Sequence, residues 1–227
     1  MQVIRLAVTP PKDPMLPPDP TMIRDAEILS QLTDTIARFV RERLVPAEQH
    51  VAETDTIPDD IVADMKAMGL FGLSIPEQYG GLGLTMEEEV LVAFELGRTS
   101  PAFRSLMGTN NGIGAQGILI DGTEEQKQKY VPALATGEVI GAFCLTEPDV
   151  GSDSGSVKTR AQRDGDHYIL NGTKRYITNG PHAGLFTVMA RTDPEIQGGG
   201  GVTAFIVEGD TPGLIRSEEH TSELQSP

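Results

Sequence analysis

Two short segments concentrate residues that can hold a ligand. The first is Thr146-Glu-Pro-Asp-Val-Gly-Ser-Asp153 and the second is Lys174-Arg-Tyr-Ile-Thr-Asn-Gly180. Thr146, Ser152 and Thr178 supply hydroxyls. Gly151 removes a Cβ so that backbone N–H groups can approach a bound molecule, and Pro148 stiffens the turn. Hydroxyls and glycines on a tight backbone suit a flat, phosphorylated molecule. Taken singly, the first segment also reads as an ordinary polar turn, since Gly-Ser-Asp is common in loops.

Other chemically capable residues have plainer readings. His50, His167 and His182 lack a Cys or His partner at metal-ligand spacing, so no metal site is expected. Glu87-Glu-Glu89 fits the acidic first turn of a helix. Glu147 suits a carboxylate that accepts backbone hydrogen bonds in its own loop more than a base. The single Cys144 reads as a small buried apolar residue in a strand and excludes an internal disulfide, which points to a reducing, cytoplasmic setting. The four-glycine run Gly198–Gly201 has no strand-Gly-x-Gly-helix context and reads as a flexible loop tip.

The elements that must position these segments change character near Gly137. From Thr21 to Gly137 the pattern is helical. Ile28, Leu32, Ile36, Phe39 and Val40 recur at three- and four-residue spacing, and Pro46 is expected to close that helix. A short helix after Pro58 carries Ile61, Val62, Met65 and Met68 and stops at Gly69. Residues 69–83 form a glycine-rich loop. Thr85 with Glu88, and Thr123 with Gln126, are capping boxes; Val90, Leu91, Phe94 and Leu96 are the apolar positions of the first of those helices. After Gly137, strands are expected at 139–145, 157–163, 167–170, 174–178, 185–191 and 202–207. Asp164-Gly165, Asn171-Gly172 and Asn179-Gly180 read as hairpin turns.

The fold class is therefore α+β. A flexible lead-in (1–20) precedes an all-α N-terminal domain (21–138) and an antiparallel, barrel-like β domain (139–215). The formal net charge is −15, and residues 1–138 hold 11 Lys+Arg against 21 Asp+Glu, so a basic face for nucleic acid is not expected. No apolar run reaches the ~18 residues that span a bilayer.

Thr146-Glu-Pro148, Gly151-Ser-Asp153 and Tyr176-Ile-Thr-Asn-Gly180 together resemble the flavin-binding segments of the acyl-CoA dehydrogenase family. Gly69-Leu-Phe-Gly72, Pro76–Gly83 and Gly122–Pro132 are similar to that family's helical domain, and the likeness covers roughly residues 24–215. Val150 stands where a smaller residue or Asn is usual, and Tyr176 where Trp is common. The resemblance implies FAD as cofactor, an acyl-CoA substrate oxidised to the 2-enoyl-CoA, and an electron-transfer flavoprotein as electron acceptor. It also implies a homo-oligomeric parent. Carried over by position, Phe143, Leu145 and Thr146 would line the flavin's pyrimidine side, and Gly151 and Ser152 would complete the loop. Ser152 would also lie where cofactor and thioester meet. Tyr176 and Ile177 would pack on the isoalloxazine, and Thr178 would donate to its edge. An acyl-CoA oxidase or flavin monooxygenase of the same fold, and a non-catalytic truncated product or binding module, are the alternatives.

The last twelve residues, Arg216–Pro227, break the β pattern and resemble the in-frame translation of a widely used DNA-sequencing adapter. The expectation is an artefactual tail over 216–227, with the chain truncated before the family's C-terminal helical bundle. The catalytic carboxylate base would belong to that bundle, so no catalytic residue is assigned here and the chain itself is expected to be inactive.

Overall fold

The computed structural model describes residues 4–5 and 23–216. The expected lead-in and tail otherwise lie outside these residues. Seven α-helices are described: α1 (Ala26–Phe39), α2 (Val45–Thr54), α3 (Asp59–Ala67), α4 (Met86–Leu96), α5 (Pro101–Asn111), α6 (Gln116–Asp121) and α7 (Glu124–Thr136). Six strands join one sheet: β1 (Ile4–Arg5), β2 (Gly141–Cys144), β3 (Arg160–Asp164), β4 (His167–Asn171), β5 (Leu185–Arg191) and β6 (Val202–Glu208).

Local chemistry starts and stops the helices. Thr85 and Glu88 exchange side-chain and backbone hydrogen bonds, as do Thr123 and Gln126, so both capping boxes form as the sequence indicates. Gly69 and Gly137 take the left-handed conformation (φ 71° at each) that ends their helices. Pro46 does not close the first helix. A π-turn over Val40–Leu44 joins α1 to α2, and Pro46 falls in the first turn of α2. There its missing N–H is no loss, and the widened turn makes room for its ring.

The apolar pattern of α4 is misleading. Val90 and Phe94 face outward, while Glu88, Val92 and Leu96 form the buried side. Glu88 tolerates burial because it caps its own helix and accepts from Arg24 Nε at 3.1 Å. Ile28 is exposed as well, and the inner face of α1 is Leu29, Ile36 and Phe39.

The α+β arrangement is as expected, but the sheet is mixed rather than antiparallel. Strand order is β1-β6-β5-β3-β4, and β2 runs parallel to β5, with Gly141 opposite Leu185 and Cys144 opposite Val188. β3 and β5 also run parallel at Arg160–Arg191. Parallel neighbours need a long crossover. Here that crossover is the chain from 145 to 184, and both ligand-capable segments lie on it.

Within the crossover, β3 and β4 form the hairpin that Asp164-Gly165 announces, with Gly165 at φ 58°. The other two expected hairpins are absent: Asn171-Gly172 leaves β4 without turning into a partner strand, and Asn179-Gly180 sits in a turn where Gly180 N donates to Ile177 O. The strand expected at 157–163 starts only at Arg160, because the Glu147 carboxylate takes the N–H groups of Lys158 and Thr159. Residues 174–178 are not a strand either, since Tyr176 has φ 56° and breaks the extended run.

Apolar packing joins helices to sheet. Ile118, Tyr130, Val131 and Leu134 from α6 and α7 share one cluster with Leu185 of β5 and Ile206 of β6. Burial of such side chains contributes on the order of 1.5–3 kcal/mol each. Polar contacts complete the junction. Asn110 Nδ2 donates to Leu134 O and Val139 O, and Asn110 Oδ1 accepts from Gly141 N, each at 2.8 Å. The four-glycine run, expected to be a flexible tip, forms a 3-10 turn at Gly198–Gly201 around Arg191, whose Nη1 donates to Ile196 O at 2.9 Å. At the end of the described chain, Arg216 donates to Ala183 O (3.0 Å) and Gly209 O (3.1 Å).

Candidate functional site

The loop after β2 is closed on itself by two backbone hydrogen bonds, Glu147 N to Val150 O at 2.9 Å and Val150 N to Glu147 O at 3.1 Å. This tight turn buries Val150 and turns Gly151 and Ser152 to the surface. Phe143, Leu145 and Thr146 are half-buried on the strand end, and Cys144 points inward.

Glu147 holds this loop to the rest of the crossover. Its carboxylate accepts from Lys158 N at 2.7 Å, from Thr159 N at 2.8 Å and from Lys174 Nζ at 2.8 Å. Lys174 Nζ also donates to Leu145 O at 3.0 Å, and Arg175 N donates to Thr146 O at 2.9 Å. The two segments identified in the sequence are thereby tied together. Burial alone would make the Glu147 carboxyl harder to ionise. The Lys174 ammonium and the two N–H groups outweigh it and hold the pKa down to about 2. Burial pulls Lys174 below the ordinary lysine value, with Glu147 opposing. With its buried oxygens accepting from three donors, Glu147 is a structural acceptor that ties the loop in place.

Tyr176 is the strained residue of the site. An aromatic side chain at φ 56° costs about 1–2 kcal/mol relative to an ordinary backbone. The turn folds the ring back so that the Arg175 guanidinium lies 4.7 Å from its centroid. That cation–π contact offsets part of the strain, roughly 0.5–1 kcal/mol for an exposed pair. Tyr176 as a residue stays 64% exposed and remains open to a further partner.

Asn179, also left-handed at φ 62°, anchors the end of the segment. Its Nδ2 donates to Ser105 O and Leu106 O at 3.1 Å and to Thr109 Oγ1 at 2.8 Å. Thr178 is exposed and lies one residue before this anchor and two after the strained tyrosine.

Whether these residues suit a flavin nucleotide can be judged from the donors they leave free. Among the described residues, the hydroxyls of Thr146, Ser152 and Thr178 have no hydrogen-bond partner, nor do the N–H groups of Gly151 and Ser152. Three hydroxyls, two N–H groups and an exposed ring match the needs of a flat heterocycle carrying a pyrophosphate. A cavity of about 670 Å³ opens beside them, lined by Lys174, Tyr176, Ile177, Phe186, Val207 and Leu214 among others. It takes in Tyr176 and Ile177 but not Phe143, Leu145, Thr146, Gly151, Ser152 or Thr178. Apart from Phe143, which lies on β2, the expected residues thus share one crossover, with no single pocket gathering them all.

Sequence reasoning missed Lys174, Arg175 and Asn179 as individuals. Their motif was visible, but the strand-forming Tyr176-Ile-Thr178 made the run 174–178 read as a strand, which hid their side-chain roles. Asn110 and Asn111 carry no motif that marks them in the sequence. Among the described residues there is no cluster of three or more His, Cys, Asp or Glu that could hold a metal, and no helix long and apolar enough to cross a membrane.

Comparison with known proteins agrees with this architecture. Residues 27–138 match the family description "Acyl-CoA dehydrogenase, N-terminal domain", and residues 142–224 match "Acyl-CoA dehydrogenase, middle domain". An acyl-CoA dehydrogenase of Bacillus subtilis (strain 168) is 43% identical over 176 residues, which is 78% of this chain and 46% of the relative. The crystal structure of acyl-CoA dehydrogenase from Geobacillus kaustophilus superposes with a TM-score of 0.77 at 36% identity, covering 86% of this chain and 51% of that one. The acyl-CoA dehydrogenase from Bacillus anthracis, solved in complex with FAD, gives a TM-score of 0.76 at 34% identity over 86% of this chain and 33% of the other. The chain spans about half the length of the curated relatives it matches. The shared helical and middle domains, with both motif segments on the β2–β5 crossover, make this chain a member of the acyl-CoA dehydrogenase family.

Proposed function

We propose that this chain seats FAD for the α,β-dehydrogenation of an acyl-CoA thioester to the 2-enoyl-CoA. The observation that carries the reading is the set of unpartnered donors on two tied segments: Thr146, Ser152 and Thr178 hydroxyls and the Gly151 and Ser152 N–H groups. The bound FAD of the Bacillus anthracis relative supports the choice of cofactor. FAD, when bound, supplies the two-electron acceptor for such a reaction.

The chain's own residues would bind and orient. Thr146 and Thr178 would donate hydroxyl hydrogen bonds to the heterocycle's polar edges, and Gly151 and Ser152 would offer N–H groups to negatively charged oxygens. Phe143, Leu145 and Ile177 would give apolar contact, with Tyr176 stacking. Ser152, at the loop's outer turn, would also face the thioester arm. Donors fixed in advance lose little freedom on binding, which is what the Glu147–Lys174 pair and the Asn179 amide provide. No general base is assigned among residues 23–216. An electron-transfer flavoprotein as acceptor, a homo-oligomeric assembly and a cytoplasmic setting belong to the same proposal.

Titrating the purified 227-residue chain with FAD and following flavin fluorescence tests the reading. Saturable quenching, weakened at least tenfold by Thr178→Val or Thr146→Val, is expected. A chain that leaves FAD fluorescence unchanged and elutes colourless would refute it.

A further inference from the structure

Arg175 is a charged residue that the flavin reading leaves without a task. Its backbone N–H is tied to Thr146 O at 2.9 Å, so its Cα is fixed relative to the first segment. The left-handed turn at Tyr176 then brings the aromatic ring over its guanidinium, 4.7 Å from centroid to carbon. Among the described residues Arg175 makes no ion pair. The nearby carboxylates are otherwise engaged: Glu147 by Lys174, and Asp149 by Lys158 at 3.0 Å. The positive charge therefore has no ion-pair partner among the described residues and is held against the ring proposed to stack on the isoalloxazine.

We propose that Arg175 is a positioning residue that orients the Tyr176 ring and, through that stack, raises the reduction potential of a flavin bound to this chain. The inference rests on the flavin reading above. Reduction adds negative charge to the flavin, and a fixed cation one ring away favours the charged product. A guanidinium suits the role because it is planar, permanently charged and weakly hydrated, so it can lie flat on an aromatic face. At the effective dielectric of a protein surface, a unit charge at such a distance changes an equilibrium by roughly tenfold. Because both side chains are exposed, salt should weaken the effect.

The experiment is a redox titration of the FAD-loaded full chain, comparing wild type, Arg175→Met and Arg175→Lys, together with FAD dissociation constants. Arg175→Met should shift the reduction equilibrium about tenfold toward oxidised flavin, about 30 mV for a two-electron couple. Arg175→Lys should keep most of the potential while binding FAD less tightly, since it retains charge and loses the planar stack. Arg175→Gln, neutral but planar, repeats the measurement if the methionine variant releases the cofactor. A merely structural role would change affinity and leave the potential alone, and equal potentials across wild type, Met and Gln overturn the inference while the flavin reading stands. Wild-type chain that binds no FAD overturns both.

Discussion

Glu147 and Lys174, 27 residues apart in sequence, meet at 2.8 Å with side-chain exposures of only 4% and 11%. The pair is asymmetric in what each partner leaves behind. Removing Glu147 leaves the ammonium without its counter-charge, bonded to Leu145 O, and frees two backbone N–H groups, whereas removing Lys174 leaves a carboxylate still bonded to Lys158 N and Thr159 N. Glu147→Ala should therefore destabilise by about 3–5 kcal/mol, in the range for breaking a buried pair. Lys174→Met should cost less, about 1–3 kcal/mol. Urea midpoints of the two variants decide the order; a larger loss for Lys174→Met would contradict it.

The same carboxylate makes stability depend on acid. Its folded pKa, held to about 2, lies below the ~4.3 of an exposed glutamate. The unfolded chain therefore binds the extra proton more readily. The stabilisation is complete above about pH 4.3 and is lost as pH falls toward 2; its full size is on the order of 3 kcal/mol. Other carboxylates, Glu88 and Glu208 among them, are also lowered and act in the same direction. The difference between wild type and Glu147→Gln isolates this one. That difference should be constant near neutrality and shrink below about pH 4.3, and a gap unchanged down to about pH 2 would show that the carboxylate is not ionised by its partners.

Asn179 serves two functions that substitution can separate. Its left-handed backbone is tolerated by glycine, while its amide bonds to α5 are not reproduced by any small residue. Asn179→Gly should lose only the inter-domain bonds, about 1–3 kcal/mol. Asn179→Ala should lose roughly 1 kcal/mol more from the strained φ. Hydrogen exchange should show faster opening of residues 105–109 and 176–180 in both variants. If glycine and alanine prove equal, the turn carries no strain.

What the sequence made legible was local. Thr85 with Glu88, Thr123 with Gln126, and the glycines at 69 and 137 act within a few residues, so their pattern reveals them. The parallel pairing of β2 with β5 was hidden, because it depends on contacts 44 residues apart, as between Gly141 and Leu185. Residues 174–178 are rich in strand formers, yet an extended run gives way to the Tyr176 turn and the Lys174–Glu147 tie. Glu147 was readable as a loop acceptor, whereas its cationic partner was not. The types of the candidate site residues were visible in their motifs; the ties that hold them are tertiary and were not.

Cys144 offers a probe of how firmly this region is closed. Burial pushes its thiol up to about 12, with Lys174 pulling weakly the other way. An exposed cysteine ionises near ~8.5. At about pH 8 a disulfide reagent should label the folded chain only as fast as it opens, and should label it at once in denaturant. Prompt labelling of the native protein would mean that the cavity bordered by Cys144 and Lys174 admits reagent.

Gly137 and Gly165 share a left-handed backbone, φ 71° and 58°, but not their surroundings. A Cβ at Gly165 would meet nothing within 4 Å, so Gly165→Ala should cost only the backbone penalty, about 1–2 kcal/mol. A Cβ at Gly137 would lie 2.6 Å from Cγ of Phe71, a ring that is fully buried and has no room to retreat. Overpacking adds about 1–3 kcal/mol to the backbone term. Gly137→Ala should thus be the more damaging by that difference, and it should loosen the contact between α7 and the helical core. Thermal midpoints for the two alanine variants measure the gap; equal midpoints would mean that Phe71 can move aside and that the close approach of the α7 terminus does not constrain the core.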